Sequence, residues 1–169
     1  MFDESDIRFN GALFFFEHHI KYVVDFAVKL AKKYGANQEI VVIAAYLHDI
    51  GLINSSAQDH QPLGVERSRK MLEEMDYKPE FINAVCDCIG SHSCTTNIPK
   101  ILEAKVIASA DALSHIMTDW FELKFKYTKK TPAEYSEWVK SKAAKDITRI
   151  FFENELVLAK KRLTEMTKR

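Results

Sequence analysis

Glycine and proline are scarce in this chain, and the prolines mark the points where apolar periodicity restarts. The sequence has 169 residues, with five glycines and four prolines. Proline is favoured in the first turn of a helix and glycine just after its end. Pro62, Pro79 and Pro99 therefore each predict the start of a helix, and Gly35 predicts the end of one. With apolar residues every three to four positions, the pattern predicts an all-α fold, a single-domain helical bundle of about six or more helices.

The boundaries of three helices can be predicted from local signals. A first long helix is expected from about residue 18 to 34. A second helix, apolar on all sides, is expected to follow Asn37 and to end near Gly51. The sequence TPAE, which begins at Thr131, has the spacing of a capping box. It predicts one long charged helix over residues 132–167 that packs on the rest of the bundle.

Composition limits the classes of partner that the chain is expected to bind. With 47% hydrophobic residues, residues 1–169 suit one domain. The chain contains 24 Lys and Arg residues and 24 Asp and Glu residues, so it has no net positive charge. The charge therefore gives no indication that the protein binds nucleic acid or a membrane surface. The acidic N-terminus does not fit a signal peptide, and three clustered cysteines are too few for a disulfide framework, so a cytoplasmic protein is expected. The sequence is compatible with a homo-oligomer and does not determine the oligomeric state.

Helical spacing separates the histidines that face the core from those that face solvent. His19 shares a stripe of its helix with three apolar residues, whereas His18 lies on the opposite, polar stripe. His92 continues the apolar face of the helix that begins at Pro79, provided that this helix extends past Gly90. His19 and His92 are therefore predicted to point inward.

Two acidic residues also occur in apolar surroundings. The sequence AAYLHDIGLI places His48 and Asp49 at the end of an apolar stretch, and Asp111 lies among small residues in IASADALSHI. A buried carboxylate without a partner costs on the order of several kcal/mol. Each of these residues alone is compatible with ordinary hydrogen bonding in a core. Together with His19 they supply two imidazoles and two carboxylates from three helices, a set that suits one divalent cation.

These residues lie in four segments that follow one another along the chain: EHHIKYVVDFAVKLA, AAYLHDIG, IGSHS and EAKVIASADALSH. In this order the chain resembles the HD superfamily of metal-dependent phosphohydrolases, of the HDIG type, over a motif core of residues 17–115. The resemblance implies that His19, His48, Asp49 and Asp111 bind metal, one or two ions per chain. It also implies hydrolysis of a phosphoester or phosphoanhydride bond in a nucleotide or another small phosphorylated metabolite. Mn, Mg, Fe, Co, Ni and Zn are all compatible with such ligands.

The resemblance extends to further residues with less definite roles. It implies that His60 and His92 bind a second metal ion or contact phosphate. The general acid stays open, because HDIGLIN lacks the acidic residue that some family nucleotidases carry after the His-Asp pair. Cys86 and Cys88 lie on different sides of one predicted helix, which disfavours a zinc site, and we expect Cys86, Cys88 and Cys94 to be small core or edge residues. Weaker candidates for substrate contact or for support of the ligands are Arg67, Lys105 and His115.

Two other classes of function stay open at this point. The same helical scaffold can hold two irons, so a di-iron oxygenase is an alternative. A metal-bearing nucleotide sensor or interaction module with weak or no turnover is another. Iron content and an oxygen requirement would favour the oxygenase, and tight nucleotide binding without product would favour the sensor.

Overall fold

A computed structural model describes residues 12–53 and 60–166, and these residues form helices joined by turns and short connections, with no β-strand among them. The all-α bundle predicted from the sequence is confirmed. A π-helical turn (Phe16–Ile20) joins the first two helices, and a 3-10 turn (Ile50–Leu52) follows the third. In chain order the helices are α1 (Ala12–Phe15), α2 (Lys21–Tyr34), α3 (Gln38–Leu47), α4 (His60–Glu74), α5 (Pro79–Ser91), α6 (Leu102–Ile116), α7 (Trp120–Phe125), α8 (Pro132–Ile147) and α9 (Glu153–Met166). Within the described ranges, no helix is long and apolar enough to cross a membrane.

The first helical segment begins before the predicted residue and contains an irregular turn. The amide of Lys21 donates to the carbonyl of Phe16, five residues earlier, which is the bond that defines a π-helical turn. His19 lies within this turn and is buried, as its apolar stripe predicted. Gly35 ends α2 with φ of 77°, a conformation that glycine adopts at little cost.

Helix α6 is the centre of the bundle. Its residues from Val106 to Ile116 are all buried, and it packs against α2, α3 and α5. Small side chains such as Ala108 and Ala112 allow these neighbours to approach closely. Burial of a large apolar side chain such as Ile107 contributes roughly 1.5–3 kcal/mol. Asp111 lies in the middle of this buried helix and therefore within the core.

The second predicted helix ends earlier than expected. Helix α3 stops at Leu47, and the chain then enters the 3-10 turn instead of remaining α-helical to Gly51. The turn brings Gly51 against the first turn of α4, where a Cβ atom on Gly51 would lie 1.8 Å from the carbonyl oxygen of His60. Only glycine fits this approach. Helix α4 starts two residues before Pro62, which therefore lies in its first turn.

The predicted continuous helix over residues 132–167 is wrong. It is two helices, α8 and α9, separated by residues 148–152. The capping box at its start is confirmed, because the Thr131 side chain accepts from the Glu134 amide and the Glu134 carboxylate accepts from the Thr131 amide. In the break the chain buries Arg149 and two apolar residues against α6 and the core. An uninterrupted helix could not turn all three inward, which is the physical reason for the break.

Candidate metal centre

The four predicted metal ligands converge inside the bundle. His19 Nε2 and His48 Nε2 are 3.2 Å apart. Asp49 Oδ2 lies 3.6 Å from the first and 3.4 Å from the second. Asp111 Oδ1 lies 3.4 Å from His19 Nε2 and 4.0 Å from His48 Nε2. Two ligand atoms bound about 2.1 Å from one ion are about 3.0–3.4 Å apart, so this spacing fits a shared ion after small adjustment.

Hydrogen bonds on the far side of each imidazole aim its Nε2 atom at the centre. In His48 and His92, Nδ1 lies 2.8 and 2.7 Å from the carbonyl oxygen three residues earlier, and it donates there. In His19, Nδ1 lies 3.1 Å from the Ser114 hydroxyl, which donates to a carbonyl of α6 and so accepts from the ring. Each Nε2 therefore presents a lone pair toward carboxylate oxygens. That arrangement requires a positive charge between them, either a proton or a metal ion.

The charges at the centre are consistent with this requirement. Burial raises the pKa of Asp49, but the positive charge of His48 and histidine hydrogen bonds outweigh it and hold the pKa well below its ordinary value. For Asp111 burial is opposed chiefly by Arg149, and its pKa is also well below the ordinary value. Burial lowers the pKa of His48, but the two carboxylates outweigh that effect and raise the pKa to about 9. A metal ion that binds here displaces this proton.

A second group of ligands shares Asp49. Its Oδ1 atom lies 3.6 Å from His92 Nε2 and 3.9 Å from His60 Nε2, while its Oδ2 atom faces His19 and His48. These separations allow Asp49 to bridge two ions. His60 opens α4 and His92 ends α5, so two further helices contribute to the centre.

Arg67 and Lys105 lie outside this arrangement. Arg67 Nη1 donates to the carbonyl oxygens of Ile50 and Ile53 at 2.9 and 2.7 Å, so its guanidinium holds the turn that follows Asp49. Lys105 is partly exposed on α6. Neither residue lines the cavity beside the ligands. The structure thus gives no support to direct substrate contact by either residue, although Arg67 supports the ligand turn.

His115 lies beside the ligands. Its Nε2 atom is 3.7 Å from Asp111 Oδ1, and its ring stacks on that of His19 with centroids 5.0 Å apart. Burial and the nearby charge of Lys142 lower its pKa to about 4, so the ring is neutral at pH 7. Its Nδ1 atom lies 3.1 Å from Lys142 Nζ and 3.2 Å from Asp146 Oδ2, while Nε2 faces Asp111. His115 therefore links Asp111 to the C-terminal charges, and together with His19 and Asp111 it forms a further group that could hold a metal ion.

Charged residues of the C-terminal helices complete the centre. Arg149 Nη1 donates to Asp111 Oδ2 at 2.6 Å, and its Nη2 donates to Asp146. Lys142 Nζ donates to the same Asp146 oxygen at 2.6 Å. Arg149 is 4% exposed and Asp146 is 0% exposed. Lys142, Asp146 and Arg149 are spaced four and three residues apart, which is common for ion pairs on solvated helix faces. The sequence therefore gives no reason to predict that these charged side chains lie inside the bundle.

A cavity of about 830 Å³ opens beside the ligands. Asp49, Asp111 and the histidines at positions 19, 60, 92 and 115 contribute to its wall. The rest of the wall is rich in aromatic side chains: Phe15, Trp120, Tyr127 and Trp138. It also carries five cationic side chains: Lys124, Lys129, Lys142, Lys145 and Arg149. The cavity wall thus carries more cationic than acidic side chains, in a chain with no net charge, and this favours an anionic ligand.

The cysteines take no part in the centre. Cys86 and Cys88 are buried in α5 and burial raises the pKa of both thiols, whereas Cys94 is partly exposed. None of the potential metal-binding groups in the described ranges contains a cysteine. The burial of Cys86 and Cys88 agrees with the prediction that the three cysteines are small core or edge residues.

Two known proteins are similar in sequence to part of this chain, and each alignment covers only a small part of the known protein. The chain is 36% identical over 99 residues to Ribonuclease Y of Treponema pallidum, an alignment that covers 57% of this chain and 18% of that protein. It is 34% identical over 98 residues to Ribonuclease Y of Treponema denticola, with the same coverage. The chain therefore spans about a fifth of the length of these relatives.

Three solved structures share the fold, each at less than 25% identity. An HD-superfamily hydrolase from Bacillus thuringiensis has a TM-score of 0.69 and 21% identity, covering 96% of this chain and 86% of that one. Bacillus subtilis YpgQ in complex with ADP has a TM-score of 0.63 and 21% identity, covering 89% and 82%. A predicted HD superfamily hydrolase from an uncultured Thermotogales bacterium has a TM-score of 0.61 and 24% identity, covering 87% and 82%. The protein-family model of the HD domain matches residues 16–116, more than half of the chain, and the chain therefore belongs to the HD domain family.

Proposed function

We propose that this protein is a metal-dependent phosphohydrolase that cleaves a phosphoester or phosphoanhydride bond in a nucleotide or another small phosphorylated metabolite. The observation that carries the proposal is the convergence of His19, His48, Asp49 and Asp111, with atoms 3.2–4.0 Å apart, beside a cation-rich cavity that His19, Asp49 and Asp111 line. A structural core could satisfy these polar groups with protons alone. A structural core would not need the Nε2 lone pairs of three histidines aimed at two carboxylates, beside a cavity wall that attracts anions.

The proposed roles follow from the positions of the side chains. His19, His48, Asp49 and Asp111 would hold a divalent ion, and Arg149 would keep Asp111 oriented with one oxygen toward it. When bound, the ion supplies Lewis acidity, which lowers the pKa of a bound water toward neutrality and offsets negative charge on phosphoryl oxygens. His60 and His92, on the other side of Asp49, would contact phosphate, donate a proton to the leaving oxygen or hold a second ion.

The cavity supports a small substrate. A volume of about 830 Å³ lies within the range of roughly 300–1,000 Å³ that is usual for small-molecule sites. The cationic side chains suit phosphate groups, and the aromatic ones can stack on a base or another ring. The ADP bound to Bacillus subtilis YpgQ supports a nucleotide ligand, and the neutral overall charge favours a metabolite over nucleic acid.

The test compares the purified protein with Asp49→Asn, and Asp25→Asn on the exposed face of α2 serves as the matched control. Circular dichroism establishes that all three proteins are folded. Elemental analysis is expected to find metal in the parent and in Asp25→Asn and none in Asp49→Asn. Release of phosphate or pyrophosphate from a nucleotide panel is expected to fall about a thousandfold or more in Asp49→Asn. Equal turnover in the folded Asp49→Asn variant, or a parent that binds none of Mn²⁺, Fe²⁺ and Zn²⁺, would contradict the proposal.

Metal stoichiometry distinguishes the versions of this centre. About one ion per chain indicates that His60 and His92 act on the substrate. About two ions per chain would indicate that His60 and His92 hold a second ion together with Asp49. A centre with two ions would also suit a di-iron oxygenase. Iron content together with strict dependence of turnover on oxygen would identify the oxygenase.

A further inference from the structure

The cavity extends beyond the part of the chain that matches the family. That match ends at residue 116, whereas much of the cavity wall comes from α7, α8 and the segments that follow them. Four lysines lie in this wall: Lys124, Lys129, Lys142 and Lys145. The wall therefore carries cationic side chains that are separate from the metal ligands and lie outside the matched family segment.

Lys142 is held in a fixed position in this wall. Its Nζ atom donates to Asp146 Oδ1 at 2.6 Å and lies 3.1 Å from His115 Nδ1. The ammonium group has three N–H donors, so at least one is available to a ligand in the cavity, and the side chain is 26% exposed there. By contrast, Lys145 contacts the exposed Thr95 hydroxyl at 3.3 Å. Because Lys142 is already ordered, it loses little side-chain entropy when it binds an anion.

The position of Lys142 relative to the metal centre defines the group that it can contact. The imidazole of His115 lies between them, with Nδ1 toward Lys142 and Nε2 toward Asp111. The imidazole ring of His115 therefore separates Lys142 from the carboxylate oxygens of Asp111. This separation suits a neighbouring phosphate on the same substrate better than the phosphoryl group at the metal. Lysine is a common ligand of phosphate oxygens.

We propose that Lys142 is a specificity-determining residue that binds a second phosphate of the substrate, next to the phosphoryl group held at the metal centre. The inference rests on the proposed function and restricts its substrates to molecules with at least two linked phosphates. The other lysines of the wall extend the positive surface along the phosphate chain, and Asp146 and Arg149 fix Lys142 relative to Asp111.

The experiment measures binding of inorganic tripolyphosphate by calorimetry in the full-length Asp49→Asn protein, treated with a chelator. In this background Lys142→Met is expected to weaken binding about tenfold or more, and Lys142→Arg to stay within about threefold. Lys140→Met, which removes an exposed lysine of α8 paired with Glu137, is the matched control and is expected to leave binding unchanged. Equal affinity in Lys142→Met and the parent overturns the inference.

A second measurement does not depend on the folding of a variant. Acetylation of lysines in the unmodified protein is followed by mass spectrometry with and without tripolyphosphate. Protection of Lys142 but not of Lys140 is expected. Equal modification rates at Lys142 in both conditions overturn the inference.

The outcomes for the two proposals can be told apart. Tripolyphosphate binding is measured without metal or turnover, so it can succeed where the phosphohydrolase proposal fails. Conversely, an active enzyme that hydrolyses monophosphates and is unaffected by Lys142→Met retains the proposed function and contradicts the role of Lys142. For an active substrate with two or more phosphates, Lys142→Met is expected to raise KM about tenfold and to change kcat less.

Discussion

The two parts of the centre hold their polar side chains by different means. In the motif core, His48 and His92 are each oriented by a carbonyl three residues earlier in the same helix. In the C-terminal part, Arg149 is held by Asp111, 38 residues away, as well as by Asp146, and Lys142 also reaches His115, 27 residues away. These two imidazoles are therefore oriented by local geometry, whereas the His19 ring depends on Ser114 of α6. The C-terminal cations acquire their partners only when α8 and the break after it pack against α6.

The largest expected effect is on this long-range pairing. Arg149→Met leaves the carboxylates of Asp111 and Asp146 buried without their shared cation. Loss of one member of a buried ion pair typically costs about 3–5 kcal/mol, so the free energy of unfolding is expected to fall by that amount. Urea denaturation in the presence of a chelator measures it. Arg162→Met on α9 is the control, with an expected change of about 0.5 kcal/mol or less. Equal effects of the two substitutions would mean that the C-terminal charges add nothing to the core.

A second substitution tests the motif core through its backbone. Gly51→Ala places a Cβ atom 1.8 Å from the carbonyl oxygen of His60, so α4 has to move and the free energy of unfolding is expected to fall by about 3 kcal/mol. Gly90→Ala is the control, because its Cβ would meet only the Val65 side chain, at 3.2 Å. Urea denaturation measures the free energy of unfolding, and elemental analysis measures the metal content. If Gly51→Ala is as stable as Gly90→Ala, the turn after Asp49 is more adaptable than its close packing indicates.

The smallest effect concerns acid stability. Burial raises the pKa of Asp146, but His115, Lys142 and Arg149 outweigh it and lower the pKa from 3.8 to about 2. A carboxyl group whose pKa is lowered by folding stabilises the protein above its unfolded pKa, and this stabilisation is lost as the pH falls through the folded pKa. The stability difference between the parent and Asp146→Asn should therefore shrink by about 2 kcal/mol between pH 5 and pH 2. Denaturation by urea across this range, with a chelator present, measures the difference. A difference that does not change with pH would mean that Asp146 is not selectively stabilised as the anion.

Most of the helices and the four candidate ligands could be predicted because their signals are local. The stripe that contains His19, the cap at Thr131 and the end of α2 at Gly35 each depend on residues within about two turns. The break between α8 and α9 was missed for the opposite reason. Its sequence contains no proline or glycine to signal an end, and the burial of Arg149, Ile150 and Phe152 against the core interrupts the helix. Arg67 was predicted either to contact substrate or to support the ligands, and tertiary packing directs it to the carbonyls of the turn after Asp49.

The sequence by itself determined the helical class of this protein, the inward face of each motif helix and the residue types that meet at its centre. It could do so because helical periodicity and capping are short-range effects. The tertiary structure decided that Asp49 lies between two groups of histidines, that Asp146 and Arg149 are buried, and that Lys142 and Arg149 line the same cavity as Asp49 and Asp111. These features depend on how distant helices pack, because a charge is stable in the interior only where another helix supplies its partner.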